Sequence, residues 1–315
     1  MKTWLKTALI SGILCCAVGT VLFAAGAVTG GKQYVQNADI NTLRGDARKD
    51  DSSHIAMLNK QKISNVQALD IALDSLDLKI IPSDDDSCYL SYRIAATKGK
   101  KPLTYAVQNG TLHLKENDVS NLYVHIDIDF LTDLLTSGRL PEEDDTQTVI
   151  LSVPKTQLKQ LSIRSSYGDI SMRGIAADNS SIQCANGDME LERCQLSQLK
   201  LSTDYGDIDF NHCTINTADI SLSNGDLDAE STSFSGKNTI TSDYGDISIS
   251  DTPENLQALT IQANTAYGKI SIPDGLQAQT KQTSDDDLTS YCHDGTGGSS
   301  LCVQADNGDI EISDD

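Results

Sequence analysis

The chain is 315 residues long and carries 24 basic and 45 acidic side chains, a formal charge of −21. That balance argues against a nucleic-acid binder, which needs clustered Lys and Arg, and against peripheral attachment to an anionic lipid surface. Aromatic residues are only 5 % of the chain, against 22 glycines, so a bulky globular core is not expected.

Taken in order, residues 1–6 contain Lys2 and Lys6, and residues 7–29 carry no charge. The uncharged run is long enough for a membrane-spanning helix, which needs about 20 apolar residues. The preceding lysines place the N-terminus in the cytoplasm and the rest of the chain outside the cell membrane. A cleaved signal peptide, with Ala25-Gly26-Ala27 as its small-residue site, is the alternative; its apolar region would be shorter than this one. Cys15 and Cys16 read as small apolar residues of the helix. Residues 30–65 are polar and mixed in charge, as in a juxtamembrane linker, with a short helix around His54 to Lys62 as one option.

Residues 66–155 alternate in short apolar pairs, among them Leu69/Ile71, Leu78/Ile80, Leu112/Leu114, Leu122/Val124 and Val149/Leu151. Period-two alternation marks strands with one buried face. This segment is read as the irregular first coils and cap of a longer array. Thr132 to Gln147 is an acidic excursion, with some helix expected at Phe130 to Leu135.

The array itself is visible as an internal repeat over 156–315. Tyr167-Gly168-Asp169, Asn186-Gly187-Asp188, Tyr205-Gly206-Asp207, Asn224-Gly225-Asp226, Tyr244-Gly245-Asp246, Tyr267-Gly268-Lys269 and Asn307-Gly308-Asp309 have glycines spaced by 19, 19, 19, 20, 23 and 40 residues. Asn109-Gly110-Thr111 is a weaker eighth match. Each glycine is followed by an alternating pair such as Ile170/Met172, Ile208/Phe210 or Ile247/Ile249. A period near 20 residues means a solenoid, so the predicted fold is all-β: a parallel β-helix or β-solenoid of 19–20-residue coils. A loop insertion at 280–300, holding Asp285 to Asp287, would interrupt the stack before a last coil. Stacked units would align equivalent residues at about 4.8 Å and bury the apolar ladders between neighbours.

Three features together resemble a bacterial putative-adhesin family of unknown function, whose members are membrane-anchored or secreted β-strand repeat proteins. They are the strand from Leu76 into Ile81-Pro82-Ser83-Asp84-Asp85-Asp86, the strand Val149 to Lys155 ending in Val-Pro-Lys, and the run of Tyr/Asn-Gly-Asp-Ile repeats. The resemblance spans about residues 66–315. It implies an extracytoplasmic β-solenoid with no catalytic residues to carry over, and a role in cell-envelope adhesion or stress sensing. Lys269, in place of the repeat aspartate, and the cysteine content depart from the pattern.

The chemistry-bearing residues are few in kind. Cys194 and Cys213 each lie seven residues after a repeat glycine, one coil apart, so stacking brings their Cα atoms within disulfide range. Cys292 and Cys302 could close the second loop, and Cys88 and Cys184 remain by elimination. Free thiols in small core positions are the other reading. No Cys-x-x-Cys or His-x-x-x-His spacing suggests zinc. The aspartates at 169, 188, 207, 226, 246 and 309 read as solvated turn residues that hydrogen-bond nearby amides; calcium is the weaker reading, since the nine-residue Gly-Gly-x-Gly-x-Asp period is absent. Tyr167, Tyr205, Tyr244 and Tyr267 form either a surface-binding stripe suited to sugars or an amphipathic cover over the turn edge. The five histidines fit no catalytic pattern. The expected function is a non-enzymatic envelope-binding module whose partners are a cell-wall polymer, an envelope protein or a cationic peptide. A polysaccharide-active β-helix enzyme and a purely structural spacer are the alternatives.

Overall fold

The computed structural model describes residues 53–97, 99–117, 147–276, 280–284 and 287–315. The apolar segment 7–29, most of the linker and most of the acidic excursion after Thr132 lie outside those residues. Among the described residues no helix is long and apolar enough to cross a membrane.

The strands in chain order are β1 (Ser53–Ile63), β2 (Ala68–Ala72), β3 (Asp77–Pro82), β4 (Cys88–Thr97), β5 (Leu103–Gln108), β6 (Thr111–Glu116), β7 (Thr148–Val153), β8 (Gln160–Ser165), β9 (Ile170–Arg173), β10 (Ala176–Ala177), β11 (Ser180–Asn186), β12 (Met189–Glu192), β13 (Gln195–Tyr205), β14 (Ile208–Asn211), β15 (Thr214–Asn224), β16 (Leu227–Glu230), β17 (Ser233–Tyr244) and β18 (Ile247–Asp251). A short helix α1 (Pro253–Ala258) follows, then β19 (Leu259–Thr265), β20 (Ile270–Ser271), β21 (Thr280–Ser284), β22 (Asp287–His293), β23 (Ser299–Asn307) and β24 (Ile310–Asp314). The helix was not expected; Thr252 caps it by accepting from the Asn255 amide, and Pro253 opens its first turn.

Each coil contributes one strand to each of two sheets. One sheet runs β1-β4-β7-β3-β9-β12-β14-β16-β18-β24-β20, and the other β21-β22-β19-β23-β17-β15-β13-β11-β8-β2-β6-β5. The pairings through the stack are parallel and in register: Met189 lies beside Ile208, and Ile208 beside Leu227. The core is therefore a set of ladders. Ile163, Ile182, Leu201, Ile220, Ile240 and Val303 line one sheet, and Ile170, Met189, Ile208, Leu227, Ile247 and Ile310 line the other, each at most 1 % exposed. Full burial of such a side chain contributes about 1.5–3 kcal/mol, and a coil obtains it only from its neighbours.

The stack is not sequential at its ends. β23 and β24 lie between β17/β18 and β19/β20, so the C-terminal coil is inserted one place inside the end of the array. At the other end β2 and β3 are likewise inserted between β6/β7 and β8/β9. The segment expected as a loop insertion at 280–300 is largely strand: β21 and β22 form an antiparallel pair that covers β19. The opposite end is closed by antiparallel β4 and β1 over β7, and by β5 over β6. Antiparallel covers of this kind block end-to-end growth of a parallel stack.

Two local expectations are corrected. The tail of the predicted linker, including the optional helix at His54 to Lys62, is strand β1 along β4. Asn109-Gly110 is no coil corner but a two-residue hairpin turn joining β5 to β6, with both residues at positive φ, 51° and 81°.

Candidate functional site

The repeat motif builds one corner of every coil. Gly225 has φ +139°, and a Cβ placed there would lie 2.2 Å from the Gly206 carbonyl oxygen. The same approach recurs up the stack, so the corner glycines sit carbonyl-to-Cα in a column too tight for any side chain.

Turning the chain at glycine leaves the next amide facing the preceding coil with no backbone carbonyl opposite. The preceding aspartate supplies the acceptor. The amide N–H of Asp188 donates to Asp169 Oδ1 at 2.9 Å, Asp207 to Asp188 at 2.9 Å, Asp226 to Asp207 at 2.8 Å, Asp246 to Asp226 at 2.7 Å and Asp309 to Asp246 at 2.7 Å. The aspartates thus bond from coil to coil rather than within their own turn. The ladder begins at Asp77, which accepts from Asp169 at 3.0 Å, and ends at Lys269, whose amide donates to Asp309 at 2.9 Å. Asp77 was not recognised as a member because Leu76, not glycine, precedes it. Desolvation by burial holds the Asp77 carboxyl above the usual carboxylate range, opposed by the Asp169 amide and reinforced by the Asp169 charge. Lys269 closes the row with a positive charge, its Nζ 3.8 Å from Asp309 Oδ2.

The inserted C-terminal coil reorders the residue before each glycine. Asn186 lies beside Tyr205, Tyr205 beside Asn224, Asn224 beside Tyr244, and Tyr244 beside Asn307. The Tyr267 amide then donates to Asp306 O at 3.0 Å, placing Tyr267 on the far side of Asn307. Tyr244 and Tyr267, consecutive in the sequence repeat, are separated in space by an asparagine. The row reads Tyr167, Asn186, Tyr205, Asn224, Tyr244, Asn307, Tyr267 without a break. The four tyrosines are 68 %, 60 %, 60 % and 80 % exposed. The asparagines between them are half-buried. Their amide nitrogens donate to the preceding coil: Asn186 to Ser166 O at 3.1 Å, Asn224 to Asp204 O at 3.2 Å and Asn307 to Asp243 O at 3.2 Å.

The expected disulfides are absent: the cysteines at 88, 184, 194, 213, 292 and 302 are free. Cys194 and Cys213 do occupy neighbouring coils, at equivalent places in the corner between strands, but stacked coils point equivalent side chains the same way at about 4.8 Å, whereas a disulfide needs Cβ atoms converging to about 3.8 Å. Cys213 Sγ instead approaches Leu191 O at 3.1 Å and accepts from the Cys194 amide at 3.4 Å. Thr232 continues this second corner column, its Oγ1 donating to Glu230 O at 3.0 Å. The hydrogen bond to Cys213 and then burial hold the Cys194 thiol protonated. Cys292 and Cys302 both lie opposite Gln262, one on each side of β19; two strand spacings, about 9.6 Å, exceed disulfide reach. Cys88 and Cys184 lie on different sheets, each thiol pushed up to about 11 by burial.

Outside the corner, Asp70 holds both His113 Nδ1 at 2.9 Å and Arg164 Nη2 at 3.0 Å, in a cleft of about 280 Å³ that Tyr105 also lines. On the outer face of the other sheet, desolvation, followed by the charges of Asp228 and Asp207, raises the Asp209 carboxyl. Among the described residues no group of three or more His, Cys, Asp or Glu could hold a metal ion.

A family model described as Toastrack DUF4097 matches residues 66–313. The chain belongs to this family. Solved structures similar to the Toastrack chain include a putative cell adhesion protein from Clostridium sporogenes, 11 % identical, covering 84 % of this chain and 99 % of that one with a TM-score of 0.27. A putative adhesin from Bacteroides fragilis is 11 % identical, covering 83 % and 97 %, with a TM-score of 0.44. A putative lipid binding protein from Parabacteroides distasonis is 13 % identical, covering 83 % and 97 %, with a TM-score of 0.38. No curated protein matches the chain.

Proposed function

We propose that this Toastrack chain is a non-enzymatic binding module, held on the outer side of the cell membrane by its N-terminal apolar segment, with the tyrosine corner as its contact surface. The observation that carries the reading is the unbroken Tyr/Asn row of exposed rings on a hydrogen-bonded corner. Exposed, regularly spaced aromatics add contact area at little conformational cost. The adjacent carboxylates occupy equivalent positions in successive coils, whereas carboxylate catalysis uses two groups in unlike environments.

The test is co-sedimentation of the full chain with isolated cell walls and membranes, compared with a variant carrying serine at 167, 205, 244 and 267. The expected result is envelope binding by the parent that falls at least tenfold in the variant at an unchanged melting temperature. Equal binding by both proteins overturns the reading, as does soluble glycan released from the walls, which would mark an enzyme.

A further inference from the structure

We infer that the tyrosine corner takes an extended β-1,4-linked amino-sugar strand laid along the stack axis. This rests on the binding-module reading and names its ligand class.

The argument starts from pitch. The inserted C-terminal coil makes the rings recur at every second coil, so their spacing is twice the strand separation, about 9.6 Å. Four rings then cover three intervals, about 29 Å. In a flat β-1,4-linked chain each sugar is turned over relative to the last, so the same face recurs once per disaccharide, at nearly this distance. One sugar face per disaccharide can therefore meet one ring without bending the chain.

The positions between the rings fit the same ligand. With their amide nitrogens committed to the preceding coil, the three asparagines leave Oδ1 as an acceptor, also at two-coil pitch. An N-acetyl N–H or an ammonium group on the alternate sugars supplies the donor. The charge on both flanks points the same way. Asp169, Asp188, Asp207, Asp226 and Asp246 are exposed on one side of the row, and Asp204, Asp243 and Asp306 immediately precede it on the other. A polymer of uronic acids or phosphates would be repelled here, and one bearing amines attracted.

A polyproline II helix also repeats at about 9.3 Å per turn. Such helices are taken up in aromatic-lined grooves, whereas this row stands on a corner of the coil.

The experiment is calorimetric titration of the full chain with chito-oligosaccharides of two, four, six and eight sugars, with their deacetylated forms, with oligogalacturonate and with a proline-rich peptide. The expected result is affinity that rises about three- to tenfold with each added disaccharide, the worth of one ring contact, and levels off near eight sugars. Deacetylated oligomers bind more tightly and lose affinity with salt, while oligogalacturonate does not bind. Tyr244→Ala weakens the octamer by the same three- to tenfold factor without changing the melting temperature. Binding that ignores oligomer length, preference for the acidic oligomer, or preference for the peptide overturns the inference. If no oligomer binds while envelope binding still depends on the tyrosines, the amino-sugar assignment fails and the module stands. If envelope binding is also indifferent to the tyrosines, both fail.

Discussion

Gly225→Ala tests whether the glycine column sets the coil-to-coil distance. The added Cβ would lie 2.2 Å from Gly206 O and 2.7 Å from Gly206 C, both backbone atoms. Real Cβ contacts start near 3.0 Å, so the coils must part locally by about 0.8 Å. Three hydrogen bonds beside the glycines cross that gap: Gly206 N to Asn224 O at 3.1 Å, Ile208 N to Asp226 O at 2.9 Å, and Asp226 N to Asp207 Oδ1 at 2.8 Å. Stretching all three beyond hydrogen-bond range loses about 1 kcal/mol each. Holding an L-residue at φ +139° adds about 1–3 kcal/mol of strain. The expected loss is therefore about 4–6 kcal/mol, at the upper end for a single substitution. Urea denaturation followed by circular dichroism measures it, with hydrogen exchange locating the weakened coils. Gly275→Ala is the control, because a Cβ there meets nothing within 4 Å, and it should change stability by under about 0.5 kcal/mol. A Gly225→Ala protein within about 1 kcal/mol of the parent would refute the reasoning.

Three further outcomes follow from the same geometry. The folded-state pKa of Asp209 lies above its unfolded value through desolvation and like-charge neighbours. The folded form therefore holds that proton more readily, and stability rises as pH falls toward the folded pKa and is lost as pH climbs through it. The melting temperature should therefore gain a contribution from this group as pH is lowered from 7 toward the ordinary carboxylate value of about 3.9, a gain that Asp209→Asn lacks; identical pH profiles in both proteins contradict this. Because the six described cysteines are free, dithiothreitol should leave the melting temperature unchanged, and iodoacetamide should spare Cys194 until the protein is unfolded; a reductant-induced drop of several degrees would show a bridge. His212 is exposed at φ +54° in the corner opposite the glycines. Its replacement by glycine should stabilise the fold by about 0.5–1 kcal/mol through relief of left-handed strain, and a loss of stability would count against that corner geometry.

The parts of the fold legible in the sequence are those written in local pattern. Ile208/Phe210 and Leu227/Ala229 announce strands by alternation, and Gly206 and Gly225 announce corners by a fixed period. The second corner was not legible. It places Arg193, His212 and Ser231 at positive φ, and three different residue types leave no shared signature at the repeat period as the glycines do. Nor was the insertion of the C-terminal coil read, because Tyr244 pairs with Asn307 across 63 residues and no local pattern specifies so distant a partner. A trace of it was present all the same. Tyr244 and Tyr267 break the Tyr/Asn alternation, and Asn307 is the asparagine that restores it. The Cys194–Cys213 bridge is absent for a different reason: the repeat period places the two cysteines in neighbouring coils, but equivalent corner residues of stacked coils point their Cβ bonds the same way rather than toward each other. Glu116 was also missed. Its carboxylate accepts from the Asp74 and Ser75 amides at 2.7 and 3.0 Å and steadies the turn leading into Asp77, across a sequence gap of about 40 residues.

The measurement that bears most directly on the account moves one ring by one coil. The double variant Tyr205→Asn with Asn224→Tyr keeps composition and charge and displaces a single tyrosine by about 4.8 Å. If the corner acts through its two-coil pitch, binding to isolated cell walls should fall by about the same factor as in Tyr205→Ala, with the melting temperature unchanged. Binding equal to that of the parent would show that ring spacing is irrelevant and contradict the account.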